Sequence, residues 1–201
     1  DGHLILPGKY SVELSLNTNG IEKKLGEAQS FNAVLLNNTS LPAKDRPALN
    51  NFYAEAAHAW RIVDGAERFA AELRKRNENI RQLLHYTYSA PDAMREKTRD
   101  ISRQLKAIDF MLNGTEAKAS FEEVPPEQVS LNYRLGVVLS GIWGTTSEPT
   151  KTMRDNLTLV NDAIAALHAQ LKTIDNDLKA IESSLDDLKT PYTPGRLPRL
   201  E

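Results

Sequence analysis

The chain has 201 residues, of which 40% are hydrophobic and 26% are charged, and its formal net charge is −2. This composition is typical of a globular protein, and so small a net charge excludes the strong basic field that binds nucleic acid or an anionic membrane. The lack of cysteine excludes disulfides and thiolate chemistry, and no apolar run reaches the ~20 residues that a membrane span needs.

Residues 1–36 predict a β-hairpin. Residues 9–16 alternate between polar and apolar side chains, which is typical of a half-buried strand, and residues 29–36 form its predicted partner. The apolar face of the first strand carries Tyr10, Val12, Leu14 and Leu16. A lone two-stranded hairpin is marginally stable in water, so we expect it to dock on the helices, to join a dimer, or to be the remnant of a larger sheet. Docking is favoured, because the linker over residues 37–47 is long enough to fold back.

A helical bundle is predicted over residues 48–189. Its first helix, over residues 48–88, keeps apolar residues in heptad register, with Asn77 as the one polar interruption and Gly65 as a weak point. The register is kept by Leu49, Phe52, Ala56, Ala59, Val63, Ala66, Ala70, Leu73, Ile80 and Leu84.

Two shorter helices follow, over residues 92–112 and 127–143. The second of them carries small residues at four-residue spacing, and such a stripe would let another backbone come close. These small residues are Gly136, Ser140 and Gly144.

The last helix, from about residue 150, carries the clearest pattern in the chain. Its apolar residues recur at alternating spacings of four and three without a break, which predicts a long helix packed along one edge. One heptad position holds Leu157, Ile164, Leu171, Leu178 and Leu185, and the other holds Met153, Val160, Leu167, Ile174, Ile181 and Leu188. We call these two rows of side chains the seam.

The helix lengths suggest an arrangement. At ~1.5 Å per residue the first and last helices each reach roughly 60 Å, and the middle pair laid end to end comes to about the same length. The predicted fold class is therefore mainly α: an elongated up-down bundle of two long and two shorter helices, with an N-terminal β-hairpin. The middle pair is expected to form one broken column; a four-helix bundle with two short members is the alternative. Residues 190–201 form a Pro-rich tail without a helical pattern.

Helical bundles can hold di-iron sites, which require Glu-x-x-His on two helices and two further Glu residues. Glu55 and His58 match this motif once, whereas the residues three positions before His85 and His168 are not Glu. A single match does not predict a metal site. No Gly-rich phosphate loop, nucleophile elbow or zinc spacing occurs, so we predict no catalytic, cofactor-binding or metal-binding residue in this chain.

Several other features have structural explanations. The basic run Arg74-Lys75-Arg76 is flanked by acidic residues and predicts a solvated helix face. Trp60 lies beside the core register, which predicts packing, whereas Trp143 ends a helix and is more open to stack on a sugar. Glycosylation sequons begin at Asn38, Asn113 and Asn156. The last of these lies inside the long fourth helix, where a glycan is not expected.

Three segments together resemble a known family. Residues 6–14, Leu-Pro-Gly-Lys-Tyr-Ser-Val-Glu-Leu, resemble the PG-x-Y-x-V-x-L strand of a small Ig-like sandwich, whose closing strand would be residues 29–34. Residues 140–150, with a Trp-Gly-Thr-Thr loop, and residues 193–198, Thr-Pro-Gly-Arg-Leu-Pro, resemble the helical region that follows such a module. The combination resembles the C-terminal end of bacterial sialidase-like, sortilin-like β-propeller proteins with BNR (Asp-box) repeats, a group described as glycosyl hydrolases.

The resemblance implies that any glycosidase residues lie upstream, because the chain contains no Asp-box of the form Ser-x-Asp-x-Gly-x-Thr-Trp. Since the chain begins at Asp1 rather than Met, we expect a fragment or a processed chain. The implied function is a non-catalytic C-terminal accessory region that caps, spaces or dimerises a secreted or periplasmic propeller protein. Its implied partners are the upstream propeller and a second copy. The alternatives are a free-standing coiled-coil adaptor that binds a partner protein and, disfavoured, a helical-bundle metalloenzyme.

Overall fold

The computed structural model describes residues 5–36, 39–115 and 128–199. Within these ranges four strands precede four helices, so the fold is mainly α, as predicted. The strands are β1 (Gly8–Val12), β2 (Ser15–Thr18), β3 (Ile21–Lys24) and β4 (Gln29–Ala33). The helices are α1 (Arg46–Tyr86), α2 (Asp92–Asn113), α3 (Leu131–Gly144) and α4 (Lys151–Asp187).

The strands form two successive two-stranded antiparallel sheets, β1 with β4 and β2 with β3. We call them together the ribbon. Asn19 and Gly20 both have positive φ, as a two-residue type I′ turn between β2 and β3 requires. Between the two sheets, the Leu25 N–H donates to Leu14 O at 2.9 Å. Residues 13–14 on one side lie across from residues 25–28 on the other, and the extra residues interrupt the ladder as a β-bulge does. The predicted single strand over residues 9–16 is therefore wrong, because the bulge divides it.

The ribbon does not dock on the helices. Within the described ranges no strand packs against a helix, and Val12, Leu14 and Leu16 are at least half exposed. The expectation of docking is wrong because the linker is held at the end of the bundle. Thr39 and Thr146 share a hydroxyl hydrogen bond of 2.8 Å, and the Lys44 N–H donates to a Glu148 carboxylate oxygen at 3.2 Å. The chain therefore leads away from the bundle rather than back along it.

The bundle has three columns of helix, which are α1, α4, and α2 followed by α3. The long helices α1 and α4 run parallel: Phe52 and Leu157 line one cavity near their starts, and Arg76 reaches Glu182 near their ends. The helices α2 and α3 run in the opposite direction beside α1, one after the other. Asn77 contacts Thr98 near the start of α2. The broken column expected from the helix lengths is confirmed.

Glu67 of α1 aligns the break between α2 and α3. Its carboxylate accepts hydrogen bonds from the side-chain amides of Asn113 (3.2 Å) and Asn132 (3.0 Å), the second near the start of α3. Gly114 ends α2 with a φ of 75°, which favours glycine. One acidic side chain therefore holds both facing helix ends against the unbroken helix.

The core follows the predicted seam. Nine of the eleven seam residues are buried, among them Leu171 at 4% exposure, and Ile164 and Leu188 are half-buried. The predicted close approach at the Gly136 stripe is wrong, because that face of α3 is exposed. Gly141 is the closely packed glycine instead: a Cβ there would lie 2.7 Å from the side chain of Met153.

Polar side chains set the register and the helix ends. Asn77 is buried and donates to Thr98 O (3.0 Å) and Ser102 Oγ (2.8 Å), which ties α1 to α2. The hydroxyl of Ser130 accepts the Tyr133 N–H, so α3 begins later than predicted; residue 127 lies outside the described ranges. None of the helices in the described ranges is long and apolar enough to cross a bilayer.

Candidate functional site

The histidines do not converge. Among the described residues there is no group of three or more His, Asp and Glu side chains placed to hold a metal ion. His58 contacts Arg61 on the same helix, with Nδ1 and Nη2 3.4 Å apart. His85 packs edge-on against Tyr86, with ring centres 5.2 Å apart, and His168 lies on α4. In the described part of the chain, no further His, Asp or Glu side chains join Glu55 and His58 to complete a di-iron site.

The basic run on α1 contributes to the packing of the helices, which corrects the prediction of a purely solvated face. Arg76 is mostly buried, and its guanidinium donates to Asp175 Oδ1 at 2.8 Å. Arg74 lies 3.6 Å from the carboxylate of Asp109 on α2. Lys75 is exposed, as predicted. The run alternates between two neighbouring helices and solvent because successive residues on a helix point about 100° apart.

Opposing effects set the pKa values of this cluster. Burial acts to lower the pKa of Arg76, but the hydrogen bonds and charges of Glu182 and Asp175 outweigh it and raise that pKa above its ordinary value. Burial likewise acts to raise the pKa of Asp175, and hydrogen bonds from Lys179 and Arg76 lower it overall. Both groups are therefore held in their charged forms as a structural ion-pair cluster.

Trp60 and Trp143 are exposed to similar extents, 40% and 51%. The packing predicted for Trp60 is thus incomplete, and the contrast between the two rings is small. Of the sequons, Asn38 lies outside the described ranges. The Asn113 side-chain amide donates to Glu67 where α2 ends. The Asn156 side-chain oxygen accepts a hydrogen bond from Arg134 at 3.0 Å. A glycan at Asn156 would have to break its hydrogen bond with Arg134, which joins α4 to α3.

The tail packs on the end of α4. Lys189 has a φ of 52°, and the Lys189 and Thr190 N–H groups donate to Asp186 O and Leu185 O in a Schellman arrangement. The almost fully buried Arg196 side chain then pairs with Asp186. Sequence reasoning missed this contact. The signal was present, since α4 ends in acidic residues and the tail is basic.

The ribbon carries exposed apolar side chains on a surface that lies apart from the bundle. Tyr10 and Phe31 stand opposite each other in β1 and β4 with ring centres 5.9 Å apart, and Tyr10 donates to Leu6 O at 2.7 Å. Further exposed apolar side chains continue along the ribbon and past its end; they are Val12, Leu14, Leu16, Ile21, Leu25, Val34 and Leu36.

Each strand of the ribbon also keeps one edge without a neighbouring strand in the described ranges. Unpaired strand edges and an exposed apolar face are both features through which sheets associate. A cleft of about 500 Å³, lined by Val34, Leu36, Pro42 and Arg46 among others, lies where the ribbon meets the bundle. The ribbon and this cleft form the candidate interaction surface of the chain.

No protein-family model, curated protein or solved structure matches the chain.

Proposed function

We propose that this chain is a non-catalytic accessory region, in which the helical bundle is a stiff spacer and the ribbon is the attachment point. The ribbon would complete a β-domain of a secreted or periplasmic protein related to the sialidase-like, glycosyl-hydrolase-like β-propellers that the sequence resembles. In this role the partner is the upstream part of the same protein, and a homodimer joined through the ribbon is the second mode of association.

One observation carries the proposal: the ribbon exposes apolar side chains and open edges, and in the described part of the chain none of its strands packs against a helix. A two-stranded ribbon is marginally stable alone, so its exposed face favours a further sheet. The contacts between the helices also support the proposal. Ion pairs tie α1, α2 and α4 together in the half of the bundle that contains α2, including Lys97 with Asp177 at 2.7 Å, and such ties stiffen a spacer.

Hydrogen exchange tests the attachment. In the isolated chain, the ribbon amides should exchange rapidly and the seam amides slowly. In a longer protein that carries this chain behind its upstream domains, the ribbon amides should become protected, and the seam amides should not change. Equally fast ribbon exchange in both proteins would contradict the proposal and favour the adaptor alternative.

Light scattering tests the second mode of association. If the isolated chain dimerises through the ribbon, Val12→Lys and Phe31→Lys should yield monomers, because both side chains lie on the apolar face. Ser11→Lys and Ser30→Lys place the same charge on the opposite face and are the matched controls. Dimers that persist in all four variants would place the contact elsewhere.

A further inference from the structure

A hollow of about 360 Å³ lies between α1 and α4, halfway along the bundle. The buried seam residues Leu167 and Leu171 contribute its deepest part, and the half-exposed Ile62, Phe69 and Ile164 contribute its sides. None of its lining residues in the described ranges belongs to α2 or α3. The hollow is therefore separate from the ribbon and from the broken column.

Missing side-chain volume on α1 produces the hollow. Opposite the seam, α1 carries Gly65 and Ala66 in succession, and no other side chain lies within 4 Å of the position that a Gly65 Cβ would take. Ile164 is consequently half-buried at a position where the heptad register predicts a core residue. Protein interiors are normally close-packed, so this gap in an otherwise regular seam is a local exception.

The charges at the rim are unbalanced. Asp175 is neutralised by Arg76 at 2.8 Å and Lys179 at 2.6 Å. Lys172 has no carboxylate within 4 Å among the described residues, and His168 adds a ring nitrogen beside it. The hollow thus combines an apolar interior with a free ammonium group at its mouth. That combination is complementary to an apolar molecule with a negative group at one end.

We propose that this hollow binds a small amphipathic anion, an aliphatic or aromatic body that carries one carboxylate or sulfonate. The apolar body lies against Leu167 and Leu171, and the anionic group meets the ammonium of Lys172 and the ring N–H of His168. This binding role goes beyond the accessory function and does not depend on it, since the hollow is built from the bundle alone.

Fluorescence titration of the full chain with 1-anilinonaphthalene-8-sulfonate tests the proposal, with decanoate as a competitor. Gly65→Leu fills the hollow and should weaken binding at least tenfold, whereas Gly136→Leu, the same substitution at an exposed glycine of α3 outside the hollow, should change it less than threefold. Lys172→Glu should also weaken binding at least tenfold, and Lys106→Glu, an exposed lysine on α2, should leave it unchanged.

Methyl NMR locates the probe, because the dye could also reach the exposed apolar face of the ribbon. Decanoate should shift the methyl signals of Ile164 and Leu171 and leave those of Val12 and Leu14 in place. Ribbon shifts alone, or unchanged binding in a folded Gly65→Leu variant, would overturn the site. Equal displacement by decyltrimethylammonium, which has the same chain length and the opposite charge, would overturn the assignment of an anion.

Discussion

Arg76 of α1 and Glu182 of α4 form a bidentate pair, with Nε 3.2 Å from Oε1 and Nη2 2.9 Å from Oε2. Both side chains are mostly buried, at 23% and 16% exposure, so water screens the pair only in part. Because the third guanidinium nitrogen reaches Asp175, every nitrogen of Arg76 is bonded to α4. The pair fixes the axial position of one long helix against the other.

Replacing Arg76 with Met should lower the free energy of unfolding by about 1.5–3 kcal/mol, the range for hydrogen bonds to charged groups. The substitution leaves Glu182 and Asp175 partly buried without their cation. Urea unfolding measures the change. Lys75→Met removes the neighbouring exposed charge and should stay within about 0.5 kcal/mol of the native chain. Equal effects of the two substitutions would mean that the pair does not stabilise the bundle.

The same cluster predicts a dependence on pH. The folded-state pKa of Asp175 is lowered below its ordinary value of 3.8, so its contribution to stability is present above that value. The contribution is lost as the pH falls through the depressed pKa. Asp175→Asn should therefore be less stable than the native chain at pH 5–7, and the difference should shrink below about pH 4.

Asp162→Asn is the control for this titration, since it removes an exposed carboxylate from the same helix. Denaturant midpoints measured from pH 2.5 to 7 provide the comparison. A stability difference for Asp175→Asn that stays constant down to the lowest pH would show that the ion pairs do not lower the pKa.

The seam can be tested by truncating a fully buried side chain. Leu178→Ala should cost about 2–5 kcal/mol, because it removes buried methyl groups and leaves a cavity. Leu159→Ala makes the same change on the same helix at a side chain that is 47% exposed, and should cost less than about 1 kcal/mol. Similar losses at both positions would argue against the observed orientation of α4.

Two helical glycines should respond differently to alanine. Gly65→Ala should stabilise the chain by about 0.5–1 kcal/mol, since alanine favours the helix and the new Cβ has open space. Gly141→Ala gains the same propensity, but its Cβ would displace the Met153 side chain, which is 7% exposed. We expect it to be less stable than Gly65→Ala by thermal unfolding. The reverse order would contradict the close packing of α3 on α4.

Periodicity was enough to predict the bundle but not the contacts of its charged residues. The seam of α4 and the lengths of the four helices predict the columns, because apolar burial determines both. The heptad pattern leaves open which helix Arg76 would face, because that depends on whether α4 runs parallel or antiparallel to α1. The ion pairs between helices could therefore be found only in the structure.

In the ribbon, by contrast, the pattern of apolar residues failed to predict a secondary-structure element. The strand Ile21–Lys24 is mostly polar, so alternation did not predict it. Its position follows instead from the Asn19-Gly20 turn, a dipeptide that strongly favours a two-residue hairpin. The hollow was only hinted at: Gly65 was recognised as a weak point for the helix, but not as a gap in packing.

The parallel course of α1 and α4 has a mechanical consequence. The linker meets the bundle where α1 begins, and the tail packs where α4 ends, so these two points are separated by about 60 Å of helix. Tension applied between them would make the long helices slide past each other, and the load would be shared by the seam and by the Arg76 pairs together. Shear of this kind requires a larger force than unzipping, because the contacts between the two helices are loaded together rather than one after another.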